Sequence, residues 1–149
     1  MELRFTVRAH ISRPVATVFE AVVDPDQLSG YFTTGGATGR LEKGATVTWD
    51  FHDFPGAFPV EVVDVVPNTR VVLRWAAQAP AIDGHTEVTI GFEPVGDDRT
   101  LVTVTEEGWQ PGPEGLAASY GNCMGWSQML AAMKAYVEYG INLREGMYV

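Results

Sequence analysis

The chain has 149 residues, enough for one domain with a full core, and its 46% apolar content is that of a globular protein. Nineteen acidic against ten basic residues give a net charge of −9, and no run of Lys and Arg forms the basic stripe that nucleic acid or an anionic membrane would need. The single cysteine, Cys123, excludes an internal disulfide, and no apolar run near the N-terminus reads as a signal peptide or membrane span, so a cytoplasmic location is expected.

Leu3, Phe5, Val7, Ala9 and Ile11 alternate with polar residues, which predicts a half-buried strand. Ser12 is placed to cap a short helix with Pro14 in its first turn and Val15, Val18, Phe19 and Val22 on its apolar face. Asp24-Pro25-Asp26-Gln27 opens a second short helix, with Asp24 as cap, Gln27 reaching back and Gly30 as terminator. A Gly- and Thr-rich stretch then holds a short strand around Thr38–Leu41. Val47, Trp49 and Phe51 alternate in the next strand, and Asp53-Phe54-Pro55-Gly56 reads as a turn.

Phe58, Val60 and Val62 continue the alternation, but Val63 and Val65 carry it in the opposite phase. Such a switch predicts a β-bulge that bends the sheet. After a turn at Pro67-Asn68, three more faces follow: Val71, Leu73 and Trp75; Val88, Ile90 and Phe92; Val102, Val104 and Glu106. A Gly/Pro-rich connection leads into an amphipathic helix over residues 115–141. Its main stripe is Cys123, Trp126, Leu130, Met133, Val137 and Ile141, and a parallel stripe adds Leu116, Tyr120 and Met124. Such a helix is stable only against a partner, and the sheet is the partner large enough. The fold class expected is α+β, as one domain over residues 1–149.

Alternation places Trp49, Phe51, Trp75, Ile90, Phe92, Val102, Val104 and Glu106 on the concave face, opposite Tyr120, Trp126, Leu130 and Met133 of the helix. Large aromatics with few polar groups suit a pocket for an apolar ligand, but they also suit a filled core, and the residues alone weigh the two equally. Glu106 is the sharpest position. A carboxylate on an apolar face must pair, hydrogen-bond or become neutral; enclosed, it could orient a ligand or serve as acid or base. The alternative puts it in water at a frayed strand end beside Glu107. Tyr31 and Phe32 are candidates for a gate at the pocket mouth, and Tyr136 and Tyr139 for a self-association contact. The ordinary alternative for all four is packing.

Cys123 reads as a small buried hydrophobe, because no cationic neighbour in sequence would activate its thiol. The histidines, His10, His52 and His85, have no metal-ligand spacing, so no metal is expected. Gly35-Gly36 lies in a loop and makes no phosphate cradle, and no Ser-His-Asp triad can be assembled from the sequence.

The order of elements resembles the helix-grip fold of the START and birch-pollen-allergen superfamily, also called SRPBCC. Within it the chain resembles the bacterial single-domain branch of the activators of the heat-shock-protein-90 ATPase. The residues that carry the likeness are Ile11-Ser12-Arg13-Pro14-Val15, Asp24-Pro25, Val65 with Pro67-Asn68, Arg70-Val71-Val72 and Trp75, and Gly125-Trp126 followed by Leu130 and Met133. The resemblance implies a curved antiparallel sheet wrapped around a long C-terminal helix, with two short helices between the first two strands. It favours a pocket over a filled core. The implied function is binding of a hydrophobic or aromatic small molecule, such as a lipid or polyketide, between sheet and helix without an obligate cofactor. The alternatives are an enzyme of the aromatase/cyclase or hydrolase kind, with Glu106 and Tyr120 assisting, and a chaperone co-factor acting in the stress response.

Overall fold

The computed structural model describes residues 1–148, and of Pro55 its place in the strand. Strand β1 spans Leu3–Ile11, as the alternation predicts, with its two ends buried. Helices α1 (Val15–Val23) and α2 (Pro25–Leu28) follow. The strands β2 (Gly36–Thr38), β3 (Thr46–Phe51), β4 (Phe54–Val66), β5 (Arg70–Ala76), β6 (His85–Pro94) and β7 (Thr100–Trp109) come next, and α3 (Pro113–Tyr139) is the last helix.

The strands make one antiparallel sheet in the order β1-β7-β6-β5-β4-β3-β2. Each strand from β2 onward pairs with its chain neighbour, and the first strand closes against the last. Helix α3 lies over β1 and β7, and its Trp126 ring reaches the ring of Trp75 in β5 at 5.6 Å. This is the helix-grip arrangement, α+β, with a long helix held in a curved sheet and two short helices between the first two strands. The phase switch in β4 becomes a bulge: Val62 pairs with Leu73 and Asp64 with Val72, so Val63 is the extra residue. One apolar cluster joins the sheet's inner face to α1 and α3 through Val18, Phe19, Phe92, Met129 and Met133.

Several local details differ from the sequence-based expectations. Ser12 does not cap α1; Pro14 holds the cap position, and the Ser12 N–H donates to Glu138 Oε2 at 2.9 Å, tying the end of α3 to the β1–α1 corner. Asp24 caps α2 through the Asp26 N–H, without a return bond from Gln27 among the described residues. β2 ends at Thr38, because Gly39 takes a positive φ of 99°. The turn after β3 is the pair His52-Asp53, not 53–56, since Phe54 already pairs with Phe51.

Helix α3 differs most. Leu116, Tyr120 and Met124 are 38%, 67% and 58% exposed, so the second apolar stripe faces water and Tyr120 does not face the sheet. The buried residues are Gly115, Ser119, Trp126, Met129, Leu130, Ala132 and Met133, which keep Trp126, Leu130 and Met133 of the predicted main stripe. Gly115 is small because the helix starts against the chain that leads into it. Ile141 lies beyond the left-handed cap at Gly140, and Cys123 is only half-buried.

A Cβ on Gly115 would lie 2.1 Å from the Gln110 carbonyl oxygen, a backbone atom that cannot turn aside. Helix propensity alone favours Ala over Gly by about 1 kcal/mol. The clash reverses that sign. Gly115→Ala is expected to destabilise the fold by about 2 kcal/mol or more, read in urea as a lower midpoint with an unchanged slope.

Candidate functional site

Glu106 lies on β7, opposite Phe5 of β1 and Val88 of β6, and is 0% exposed. The strand runs on to Trp109, so Glu106 is not at a frayed end. Four side chains donate to its carboxylate. Thr86 Oγ1 on β6 is 2.6 Å from Oε2, and Trp75 Nε1 on β5 is 3.0 Å from it. From α3, Trp126 Nε1 is 2.9 Å from Oε1, and Asn122 Nδ2 bridges both oxygens at 3.2 and 3.0 Å. One buried group thus joins three neighbouring strands to the helix.

These donors form one wall of a cleft of about 240 Å³ at the end of the sheet where β5 leaves and β6 begins. Trp75 and Trp126 stand 5.6 Å apart and tilted by 32°. Phe32 reaches Trp126 at 5.3 Å and Phe51 at 5.0 Å, while Phe58 stacks on Phe51 at 5.9 Å. Phe54, Ala76, Ala77 and Gln78 complete the rim. Gly121 and Gly125 of α3 also line the cleft, and a Cβ on either would meet nothing within 4 Å. The helix therefore presents bare backbone to this space.

Arg144 closes the other side. It follows α3 after the Gly140 cap, and its backbone N–H and that of Glu145 both donate to Asn142 Oδ1. The side chain is 5% exposed, with the guanidinium carbon 5.6, 5.3 and 4.7 Å from the ring centres of Phe32, Phe51 and Tyr148. Nη2 meets Asp53 Oδ1 at 3.3 Å, and Nε is buried without an acceptor.

Of the residues predicted for the site, Phe32, Phe51, Trp75 and Trp126 line the cleft. Glu106 lies directly behind its wall, and Trp49, 1% exposed, lies behind Phe32 and Trp75. Ile90, Phe92, Val104, Leu130 and Met133 belong to the core and do not reach the cleft. The reason is position along the strands: Thr86 starts β6 at the cleft, whereas Phe92 ends it against Phe19 of α1, 5.3 Å away. Tyr31 is not at a mouth. It is 0% exposed, its hydroxyl donates to the Ala21 carbonyl at 2.9 Å, and burial pushes its phenol well above the ordinary range. Its ring packs on Tyr136 at 5.2 Å, which turns Tyr136 inward, while Tyr139 is 70% exposed.

The sequence reading missed Phe54, Phe58, Thr86, Asn122, the two glycines and Arg144. Glycines four apart within a long helix, beside Asn122 and Trp126, were the available signal. Among the described residues no group of three or more His, Cys, Asp or Glu is placed to hold a metal ion, and no helix is long and apolar enough to cross a membrane.

The indole N–H can only donate. In Glu106→Gln, whichever oxygen becomes the amide nitrogen then faces the N–H of Trp75 or Trp126. The substitution is expected to cost about 1–3 kcal/mol despite conserving volume. Denaturation of the variant monitored by tryptophan fluorescence measures it, and stability equal to the parent's would refute the hub.

Among curated proteins, none matches the chain. Among solved structures it is similar to the protein SSP2350 from Staphylococcus saprophyticus, with 27% identity over 95% of this chain and 96% of that one and a TM-score of 0.79. It is similar to DynU16 of the dynemicin biosynthetic locus at 26% identity and a TM-score of 0.78, covering 95% of this chain and 49% of that one. The Aha1 dimer from Colwellia psychrerythraea shares the fold, at 23% identity over 93% and 98% of the two chains and a TM-score of 0.76. The family model described as Activator of Hsp90 ATPase homolog 1-like protein matches residues 12–138, from the entry into α1 to the last turn of α3, and the chain belongs to that family.

Proposed function

We propose that this protein binds a hydrophobic or aromatic small molecule in the cleft between the sheet and α3, and does so in the cytoplasm. The observation that carries the reading is the pair of glycines on the helix side of the cleft. A mid-helix Gly costs about 1 kcal/mol relative to Ala, and nothing within 4 Å of Gly121 or Gly125 excludes a side chain. The space is left open where filling it would stabilise the helix. Around it, six aromatic rings (Phe32, Phe51, Phe54, Phe58, Trp75 and Trp126) supply the flat apolar contact that such a ligand needs. The likeness to a protein of a biosynthetic locus agrees with a small-molecule role. Acid–base work by Glu106 finds no support in this geometry, since both its oxygens are engaged and it has no exposed surface. Binding is therefore preferred to catalysis.

Gly125→Ala is expected to raise stability by about 0.5–1 kcal/mol and Gly125→Leu to fill the cleft. Tryptophan quenching during titration with aromatic polyketides, flavonoids and fatty acids reads binding directly, because Trp75 and Trp126 are in the wall. The parent should be stabilised by about 2.7 kcal/mol at a hundred times the dissociation constant. The leucine variant should bind at least about tenfold more weakly while remaining folded. Equal binding by the two would remove this cleft as the site.

A second reading concerns the outer line of α3. Leu116, Tyr120 and Met124 expose apolar surface one turn apart, which favours a protein contact. A second copy is the simplest partner, since the Colwellia relative is described as a dimer, and a chaperone is the partner to which the family's name points. Sedimentation equilibrium should find a dimer that Tyr120→Lys weakens; a monomer at every concentration would exclude self-association here.

A further inference from the structure

The cleft carries opposite polarity at its two ends. At the Glu106 end the Thr86 hydroxyl and both indole donors are already used. Asn122 turns its Nδ2 to the carboxylate, so Oδ1 is the end of the amide left to meet the cleft. Thr86 gives its hydroxyl hydrogen to Oε2, so toward the cleft its oxygen can only accept. The indole N–H groups of Trp75 and Trp126 are likewise taken by Glu106. A ligand meets acceptors there.

At the far end it meets Arg144. Five N–H groups radiate from a guanidinium. Among the described residues its side chain has one acceptor, Asp53 Oδ1, at a long 3.3 Å from Nη2, and Nε has none. The group is 95% buried among rings, where an unmatched donor is costly. Asp53 also lines the cleft, so its carboxylate stands beside any anion placed there, and Glu145 borders Arg144 from the adjoining cavity.

We infer that the cleft selects a planar aromatic ligand with a hydrogen-bond donor, such as a phenolic hydroxyl, toward Asn122 and Thr86, and a carboxylate toward Arg144. The flat guanidinium fork, stacked over Phe32, Phe51 and Tyr148, matches a carboxylate in the plane of the ligand ring. The ligand's carboxylate would take the N–H groups that Asp53 leaves. This assignment rests on the cleft being the binding site.

The test is calorimetric titration with 4-hydroxybenzoate, 4-hydroxycinnamate and 4′-hydroxybiphenyl-4-carboxylate, which differ in length. Each is compared with its methyl ester and its 4-methoxy ether. The best-fitting acid should bind about tenfold or more tighter than its ester, and the ether should lose affinity as well. Arg144→Gln should erase the preference for acid over ester, and Arg144→Lys should keep part of it. Asp53→Asn should tighten acid binding several-fold without changing ester binding, a response that a purely structural Arg144 would not produce. If esters bind as well as acids, or if Asp53→Asn leaves acid binding unchanged, the assignment is overturned while the cleft stands as a site for apolar ligands. If no member of the series and no neutral aromatic binds, both fall.

Discussion

A carboxylate taken out of water must be met by donors, and the arrangement around Glu106 is organised by that demand. The cost of an unmatched buried charge is several kcal/mol. Each partner is supplied by a different part of the chain: Trp75 from β5, Thr86 from β6, Asn122 and Trp126 from α3. None of the four is a cation. The group therefore acts as a keystone among neutral donors, and the register of β5, β6 and β7 together with the rotation of α3 about its axis must be right at once for it to be satisfied. Apolar packing tolerates small slips in each of these. The carboxylate does not.

The same bonds give the cleft its character. With their N–H edges turned to Glu106, Trp75 and Trp126 are held at a fixed tilt and offer carbon surface to the open space. Asn122 and Thr86 are similarly committed, so their remaining polar surface is of one kind. A carboxylate that touches nothing in the cleft thereby sets what the cleft presents. Arg144 is fixed differently, by aromatic faces on several sides and one long ion pair, and keeps donors in reserve.

The elements of this fold were readable because period-two and period-3.6 patterns report which face is buried, and the phase switch at Val63 located the bulge. Alternation put Glu106 on the concave face but left open whether it was enclosed or in water at a frayed end; the continuation of β7 to Trp109 decides for burial. Side of the helix was harder: Leu116, Tyr120 and Met124 form a good apolar stripe, yet the helix is seated by Gly115, whose smallness allows close approach to the chain before it. Hydrophobicity measures what could be buried, not what fits. The site was half legible for a related reason. Alternation assigns residues to the concave face but does not say where along that face the helix stops filling it. Hence Ile90, Phe92 and Val104 were grouped with Phe51 and Trp75, although α1 closes their end of the sheet. Arg144 gave no signal, because it reaches its rings by way of the Gly140 turn and not through any periodic element.

Three glycines of α3, one buried at its start and two bordering the cleft, show how one residue type serves opposed ends. Gly115 is required because no Cβ fits; Gly121 and Gly125 stand where one would fit easily. The first follows from packing and says nothing about function. The other two weaken the helix with no structural return, and they do so beside the side chains that Glu106 holds rigid. A wall that is stiffened by hydrogen bonds and yet kept bare of side chains has the two properties of a preformed binding surface: little ordering is left to be done when a ligand arrives, and there is room for the ligand to sit. A core under selection for stability alone would have filled that space.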